Sequence, residues 1–298
     1  MQKDWEELPR ARRQREALEN HRGNVMKILM MTDLEGVAGI LNFEDWCTPE
    51  GSYYDKAKRL LTREVNAAAK GLFGGGVEEI LVIDGHGHGA IDPELLDERL
   101  LLMRGHAERV VTWGLDETYD GVAYVGQHAR ASTPYSHLTH TQGWGYVDLA
   151  VNGVSIGEFG QLVLCAKELG IPTVFASGEQ AFAEEAEDLT PGVITVAVKR
   201  GLLPDGLEHV DADTYSRSKL SAVHLAPERS RKLIRKAARK AARKLKKNPE
   251  AFSYRKLDPP YVRTARFRQR GDSPGYETRD EHPSSLIDLL GSPYTRVE

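Results

Sequence analysis

Two acidic residues at the end of an apolar run are the first candidates for chemistry in this chain. Residues 28–36 read Ile-Leu-Met-Met-Thr-Asp-Leu-Glu-Gly, so Asp33 and Glu35 follow a buried-type run and precede Gly36. Alternate residues of a strand point to the same face, which predicts that both carboxylates project together from the strand's carboxyl end. Paired carboxylates in an apolar setting are costly unless a cation lies between them. Taken alone, the same pattern also fits a solvated pair of acids in a turn.

Histidines follow two further apolar runs in the same way. Residues 80–88 read Ile-Leu-Val-Ile-Asp-Gly-His-Gly-His, and the run 121–126 leads into Gln127 and His128. Neutral imidazole binds zinc and similar metals well. A glycine loop with surface histidines is the alternative reading of His86. Because the carboxyl ends of strands in an open α/β sheet carry its ligands, the pattern favours a metal site at that edge.

A further carboxylate opens a predicted helix. Asn152-Gly153 is typical of a two-residue hairpin turn, and Glu158 then begins a helical pattern that runs to residue 169. A carboxylate in the first turn also complements the helix dipole, so Glu158 has a structural as well as a ligand interpretation. His137 and His140 lie in the loop between the third apolar run and this turn.

These residues require an alternation of strands and helices to position them. The pattern predicts an α/β fold with a mostly parallel sheet flanked by helices. The predicted strands are 26–33, 78–84, 121–127, 172–176 and 191–198, and the predicted helices are 53–72, 92–101, 158–169 and 181–189. We divide the chain into a charged N-terminal extension (1–25), a metal-binding α/β catalytic domain (26–200) and a smaller C-terminal subdomain of helix and strand (201–298).

A strongly basic segment covers residues 228–247. Its alanines, leucines and isoleucine recur at helical spacing, which predicts an amphipathic helix with an apolar stripe of small residues. We expect the stripe to pack on the sheet and the lysines and arginines to be solvated. The alternative is contact with nucleic acid or an acidic membrane, but the segment lacks the interleaved aromatic residues that stack on bases.

Global properties are those of a cytoplasmic enzyme. The formal net charge of −4 gives no general attraction to nucleic acid or anionic membrane, and two cysteines are too few for a disulfide framework. The sequence contains neither a stretch of 18 apolar residues nor a secretory signal at its charged start. We therefore expect no nucleic-acid and no membrane partner.

The motifs together resemble those of the DppA-type D-aminopeptidases, peptidase family M55, a group of dizinc aminopeptidases. The resemblance runs from about residue 26 to about residue 200, and the His-Ala-Arg-Ala-Ser-Thr-Pro string is its most specific part. The matching strings are Thr32–Gly36, Asp84–His86, Gly126–Pro134, Thr139–Thr141 and Gly157–Glu158.

The resemblance implies a function and a set of site residues. It implies a dizinc aminopeptidase that acts on short peptides with an N-terminal D-amino acid or small residue and that assembles as a homo-oligomer. Asp33 would bridge two zinc ions, and His140 would be catalytic. One ion would be completed by Glu35 and His128, the other by His86 and Glu158.

Two points within the resemblance stay open. The spacing from His128 to His140 is one residue longer than the family pattern, which makes His137 a rival for the catalytic role. Arg130 and Thr133, beside His128, would either orient loops or hold a substrate carboxylate.

Two other functions fit parts of the sequence. A haloacid-dehalogenase-like magnesium phosphatase also has an apolar strand that ends in two acids, with Asp33 as the nucleophile. Magnesium prefers oxygen ligands, so that function leaves the histidines unexplained. A non-enzymatic nucleic-acid-binding protein would use the basic helix 228–247.

Overall fold

The computed structural model describes residues 25–105 and 110–297. The predicted extension 1–25 therefore lies, except for Val25, outside the described residues. A seven-stranded sheet has the order β3-β2-β1-β4-β7-β8-β9, and only the last pair, β8 with β9, is antiparallel. Its strands are β1 (Lys27–Thr32), β2 (Glu79–Asp84), β3 (Leu101–Met103), β4 (Gly121–Gln127), β7 (Thr173–Glu179), β8 (Ile194–Gly201) and β9 (Ala222–His224).

A second sheet is smaller and antiparallel. It has the order β11-β10-β5-β6. Its strands are β5 (Tyr146–Val151), β6 (Val154–Ser155), β10 (Tyr261–Phe267) and β11 (Tyr276–His282). The turn between β5 and β6 is the predicted Asn152-Gly153 hairpin, in which both residues have positive φ. An antiparallel pair closed by two such residues is the geometry of a type I′ turn.

Helices cover the large sheet. The helices are α1 (Phe43–Trp46), α2 (Tyr54–Phe73), α3 (Glu158–Glu168), α4 (Gln180–Leu189), α5 (Ala212–Ser216), α6 (Pro227–Lys247) and α7 (Leu286–Gly291), with short 3-10 turns at Val110–Thr112 and Pro249–Ala251. One buried core cluster joins the sheet to α2 and α6, and a second joins it to α3, α4, α7 and the small sheet.

The basic helix α6 packs as its small-residue stripe predicts. Ile234, Ala238 and Leu245 are buried, and the stripe lies against Gly71 of α2 and against Gly75, just after the end of that helix. A Cβ on Gly75 would lie 2.4 Å from the Cβ of Ala242. Because these two glycines have no side chain, the two backbones can approach closely.

The predicted α/β architecture is confirmed, with one element wrong. Residues 92–101 form turns rather than a helix. Side chains of α2 satisfy the backbone of this segment: the Thr62 hydroxyl accepts from the Asp92 N–H at 2.9 Å, and the Asn66 amide bonds Leu95 and Asp97. With these groups bonded to α2, the segment does not need helical hydrogen bonds.

The division of the chain at residue 200 stays a prediction. The strands after residue 200 are distributed between both sheets. β9 extends the large sheet, whereas in the small sheet β10 pairs with β5 and β11 pairs with β10. Among the helices of the described residues, none combines the length and apolar character needed to span a bilayer.

Candidate metal centre

The site lies at the carboxyl ends of β1, β2 and β4. These strands are adjacent and parallel, with Thr32 paired to Asp84 on one side and to Val125 on the other. The strand order changes direction at this point, because β1 leads to β2 on one side and β3 leads to β4 on the other. A crevice opens between strand ends at such a point. The same register brings the residues that follow each strand, Asp33, His86 and His128, to one place.

Two glycines allow the strand ends to approach each other. A Cβ on Gly36 would lie 2.0 Å from the carbonyl oxygen of Gln127, and one on Gly126 would lie 2.1 Å from that of Asp33. Gly126 also has a φ of 82°, a backbone angle that residues other than glycine rarely adopt. These glycines therefore hold the carboxylate loop against the histidine loop.

Asp33 lies at the centre of the cluster, with a histidine on each carboxylate oxygen. Its Oδ1 is 3.3 Å from Nδ1 of His86, and its Oδ2 is 3.2 Å from Nε2 of His128. The Gln127 amide donates to Oδ2 at 2.9 Å and fixes the carboxylate plane. Asp33 thus has one carboxylate oxygen beside each histidine, and the bridging role that the resemblance implies for it stays a prediction.

Glu35 and Glu158 flank this centre. Glu35 Oε2 is 3.2 Å from Nδ1 of His86, and Glu158 Oε1 is 3.7 Å from Nε2 of both His128 and His140. Ligand atoms of Asp33, Glu35 and His128 also lie within 4.8 Å of one another. All five predicted ligands are therefore brought together, whereas the division of these ligands between two ions stays a prediction.

Backbone carbonyls set the tautomers of the two histidines beside Asp33. His86 Nε2 is 2.8 Å from the carbonyl of Cys47, and His128 Nδ1 is 2.8 Å from that of Ala129. Because a carbonyl can only accept, those nitrogens carry the proton. The opposite nitrogen of each ring then faces carboxylate oxygens, where it can hold either a proton or a metal ion.

A cation fits the position that these groups surround. Nε2 of His128 is buried and makes no hydrogen bond within the described part of the chain. Lone pairs of imidazole and carboxylate repel one another unless a proton or metal ion lies between them. A set of two imidazoles and three carboxylates is a mixed nitrogen and oxygen donor set suited to zinc.

The pKa values express the same demand for positive charge. Burial opposes protonation of His86 and His128, but the nearby carboxylates outweigh it and raise the pKa of both rings well above the usual value. Burial tends to raise the pKa of Asp33, yet the two histidines hold it well below its ordinary range. Burial raises the pKa of Glu158 to about 7.

The two rival histidines lie in different surroundings. His140 lines the cleft, stacks on His128 with ring centroids 4.0 Å apart, and bonds the Leu138 carbonyl through Nδ1 at 2.9 Å. His137 is fully buried, and its ring packs edge-on against that of His224 at 5.3 Å. Burial lowers the pKa of His140 to about 3 and that of His137 to about 2.

Arg130 and Thr133 make structural contacts in the described residues. The Thr133 hydroxyl donates to the Arg130 carbonyl at 2.7 Å, and the Arg130 guanidinium is 3.8 Å from Glu185. Neither side chain is among those that line the cleft. Of the two interpretations from the sequence, these contacts favour the orientation of loops.

Sequence reasoning missed the buried groups that hold the histidine loop in place. Glu179 accepts from the N–H groups of Ala129 and His137 at 2.8 and 2.6 Å, and burial raises its pKa. Buried Lys199 donates to the Glu35 carbonyl, and burial lowers its pKa to about 8. Glu179 ends an apolar strand, so the rule that identified Asp33 could have found it. Lys199 follows a less distinctive pattern.

Comparison with known proteins gives three findings. The family model Peptidase_M55, described as D-aminopeptidase, matches residues 26–275. A D-aminopeptidase of Bacillus subtilis (strain 168) is 32% identical over 184 residues, which are 59% of this chain and 64% of that protein. The chain thus aligns with a little under two thirds of that relative's length.

The third finding is a structural likeness. The solved structure of the Zn-dependent D-aminopeptidase DppA from Bacillus subtilis, described as a self-compartmentalizing protease, matches with a TM-score of 0.73. The match covers 89% of this chain and 94% of that one at 22% sequence identity, so it supports the fold.

Proposed function

This chain belongs to peptidase family M55, the D-aminopeptidases, and from that premise we propose that it is a dizinc aminopeptidase acting on short peptides with an N-terminal D-amino acid or small residue. The observation that carries the proposal is the placement of Asp33 between two histidines, each of which directs its second ring nitrogen at carboxylate oxygens. The zinc dependence of the structural relative supports the choice of metal.

Asp33, Glu35, His86, His128 and Glu158 would hold the two ions. Bound zinc supplies Lewis acidity for a peptide carbonyl and lowers the pKa of water. The chain's own contribution is orientation: carbonyls fix the rings of His86 and His128, and Gln127 fixes Asp33. Outer contacts of this kind keep ligands in place before the metal binds.

We assign the proton-handling role to His140. Its Nδ1 donates to the Leu138 carbonyl, so Nε2 is the nitrogen free to accept a proton from the attacking group and return it to the leaving amine. The ring lines the cleft beside Glu158, and burial keeps it neutral. His137, enclosed against His224, has no such access to the cleft.

Three single variants test this assignment. His140→Ala should retain bound zinc and lose turnover by about 10²–10⁴-fold, the usual contribution of a general acid or base. His128→Ala should lose metal, because it removes a ligand. His137→Ala should be milder in turnover. Metal analysis and hydrolysis of a panel of D- and L-dipeptides would measure all three.

The outcomes separate the possibilities. Normal turnover in His140→Ala with an inactive His137→Ala would transfer the role to His137. A fully active wild-type protein without metal would overturn the metalloenzyme itself. The haloacid-dehalogenase alternative would need activity with magnesium alone after replacement of His86 and His128.

We also propose that the protein is a homo-oligomer located in the cytoplasm. The self-compartmentalizing character of the structural relative supports the assembly. The phosphatase and nucleic-acid-binding functions receive no support from the family match.

A further inference from the structure

The cleft has an apolar side as well as a metal-binding side. Its volume is about 410 Å³, which lies within the range of small-molecule sites. Besides Phe43, which packs edge-on against the His140 ring, the apolar side chains that line it are Met31, Val111, Trp113, Tyr124, Leu162 and Leu290. The assigned ligands and His140 do not account for this side of the cleft.

Two of the apolar residues lie close to candidate ligands on the same segments of the chain. Met31 precedes Asp33 by two residues, a distance of about 6–7 Å along a strand. Leu162 follows Glu158 by four residues on α3, about 6 Å along the helix axis. Both residues line the cleft together with those acids. If a substrate peptide bond lies beside these acids, the side chain next to that bond is therefore within reach of the apolar side of the cleft.

The C-terminal helix α7 supplies part of the wall. Leu290 and Gly291 line the cleft, although α7 lies beyond residue 275, where the match to the family model ends. A Cβ on Gly291 would lie 3.7 Å from Cγ1 of Val111. The bare glycine thus leaves space between α7 and the turn at Val111.

Polar contacts anchor α7 at both ends. At its start, Glu168 accepts from the Ser285 hydroxyl at 2.8 Å and from the Ile287 N–H at 3.2 Å. Just past its end, the buried Arg263 guanidinium donates to the carbonyls of Ser292 and Pro293 at 3.0 and 2.8 Å. The wall is therefore held in a fixed position.

We propose that these residues form a specificity subsite for a large apolar side chain on one of the two substrate residues that flank the scissile bond, and that α7 sets its size. The inference rests on the proposed aminopeptidase function and names the substrate class of that same cleft. Apolar walls with few polar groups discriminate by the apolar area of the side chain that they bury.

Peptide hydrolysis by the zinc-loaded protein tests the subsite. The panel is D-alanylglycine, D-leucylglycine and D-alanyl-L-leucine, with the L-alanyl and L-leucyl counterparts. We expect kcat/KM for at least one leucine peptide to exceed that for the matching alanine or glycine peptide by on the order of tenfold. Gly291→Val, which fills the space beside Val111, should reduce that ratio to near one, and Leu290→Ala should also lower it.

A matched control lies outside the cleft. Leu233 is on the exposed face of α6, with 40% of its surface accessible, so Leu233→Ala should leave the ratio unchanged. Because Leu290→Ala removes packing, Leu290→Met keeps the side-chain volume as a second variant and should retain the preference.

Binding gives a readout that does not depend on turnover. In calorimetric titrations, D- or L-leucine should bind the wild-type protein more tightly than the corresponding alanine, and Gly291→Val should abolish the difference. Hydrolysis without any preference for leucine, together with equal affinities, would overturn the subsite and leave the aminopeptidase intact. If no peptide is hydrolysed, the proposed function fails, and the titrations alone decide the subsite.

Discussion

At the scale of single residues, the site is organised by groups that never touch the substrate. The carbonyls of Cys47 and Ala129 each accept a hydrogen bond from one ring nitrogen, of His86 and His128 respectively. This leaves the other nitrogen of each ring facing Asp33. The tautomers are therefore fixed by the backbone, before any metal binds. Replacing a candidate ligand would remove a metal-binding atom, whereas disturbing these carbonyls would turn the histidine rings away from Asp33.

The buried acid Glu64, which lies outside the metal centre, gives a prediction about how stability depends on pH. Glu64 lies between α2 and α6, where the Ser230 hydroxyl donates to it at 2.6 Å, and burial raises its pKa to about 7. The folded protein then binds this proton more tightly than the unfolded chain, so the free energy of unfolding should fall as pH rises from 4.5 to 7. The loss is about 3 kcal/mol at 1.4 kcal/mol per pH unit.

Glu64→Gln keeps an acceptor for Ser230 and removes the titration. Urea unfolding at pH 5 and pH 8 should show that the variant gains stability relative to wild type by about 3 kcal/mol at the higher pH. Glu50→Gln, at an exposed position, is the matched control, and its free energy of unfolding should change with pH as that of the wild type does. A constant difference between Glu64→Gln and wild type across this range would contradict the prediction.

At the scale of elements, the contact between α2 and α6 determines the position of the basic helix α6 against the rest of the fold. A Cβ on Gly71 would lie 2.4 Å from the backbone oxygen of Arg235 and 2.8 Å from Cβ of Ala238. Overpacking costs about 1–3 kcal/mol, more than the roughly 1 kcal/mol that alanine gains over glycine inside a helix. Gly71→Ala should therefore lower the free energy of unfolding by about 1 kcal/mol, which is a typical overpacking cost of about 2 kcal/mol less that gain.

Urea denaturation midpoints measure this effect. Gly145→Ala is the matched control, because a Cβ there meets open space and should change the midpoint little. Unchanged or increased stability in Gly71→Ala would mean that the two helices can separate without cost and that the small-residue stripe does not determine their packing.

At the scale of the whole molecule, we expect self-association. Closed symmetric assembly is the usual outcome for oligomers of one chain, and the structural relative is described as self-compartmentalizing. Light scattering of the zinc-loaded protein at micromolar concentration should give a mass that is a multiple of 33.2 kDa. A single species at 33.2 kDa over the whole concentration range would refute the prediction.

Much of the fold was predictable because its signals are local. The apolar runs that became β1, β2 and β4 end in charged residues or glycines, and the alternation with helices predicts a parallel sheet. The segment 92–101 was mispredicted as a helix because its backbone bonds side chains of α2, which lie about thirty residues earlier in the chain. A sequence window cannot contain such partners.

The sequence by itself determined which residues are candidates at the metal centre: Asp33, Glu35, His86, His128 and Glu158 each end a strand or begin a helix in a recognisable pattern. Strand order is what the tertiary structure decided, since placing β1 between β2 and β4 sets Asp33 between the two histidines.

The tertiary structure also separated His140 from His137 and brought α7 to the cleft. Both histidines lie in one loop, and only its path places one ring in the cleft and the other against His224. Leu290 is more than a hundred residues from any candidate ligand, so no sequence spacing could place it there. Local patterns fix the residue types available, and long-range packing fixes which of them meet.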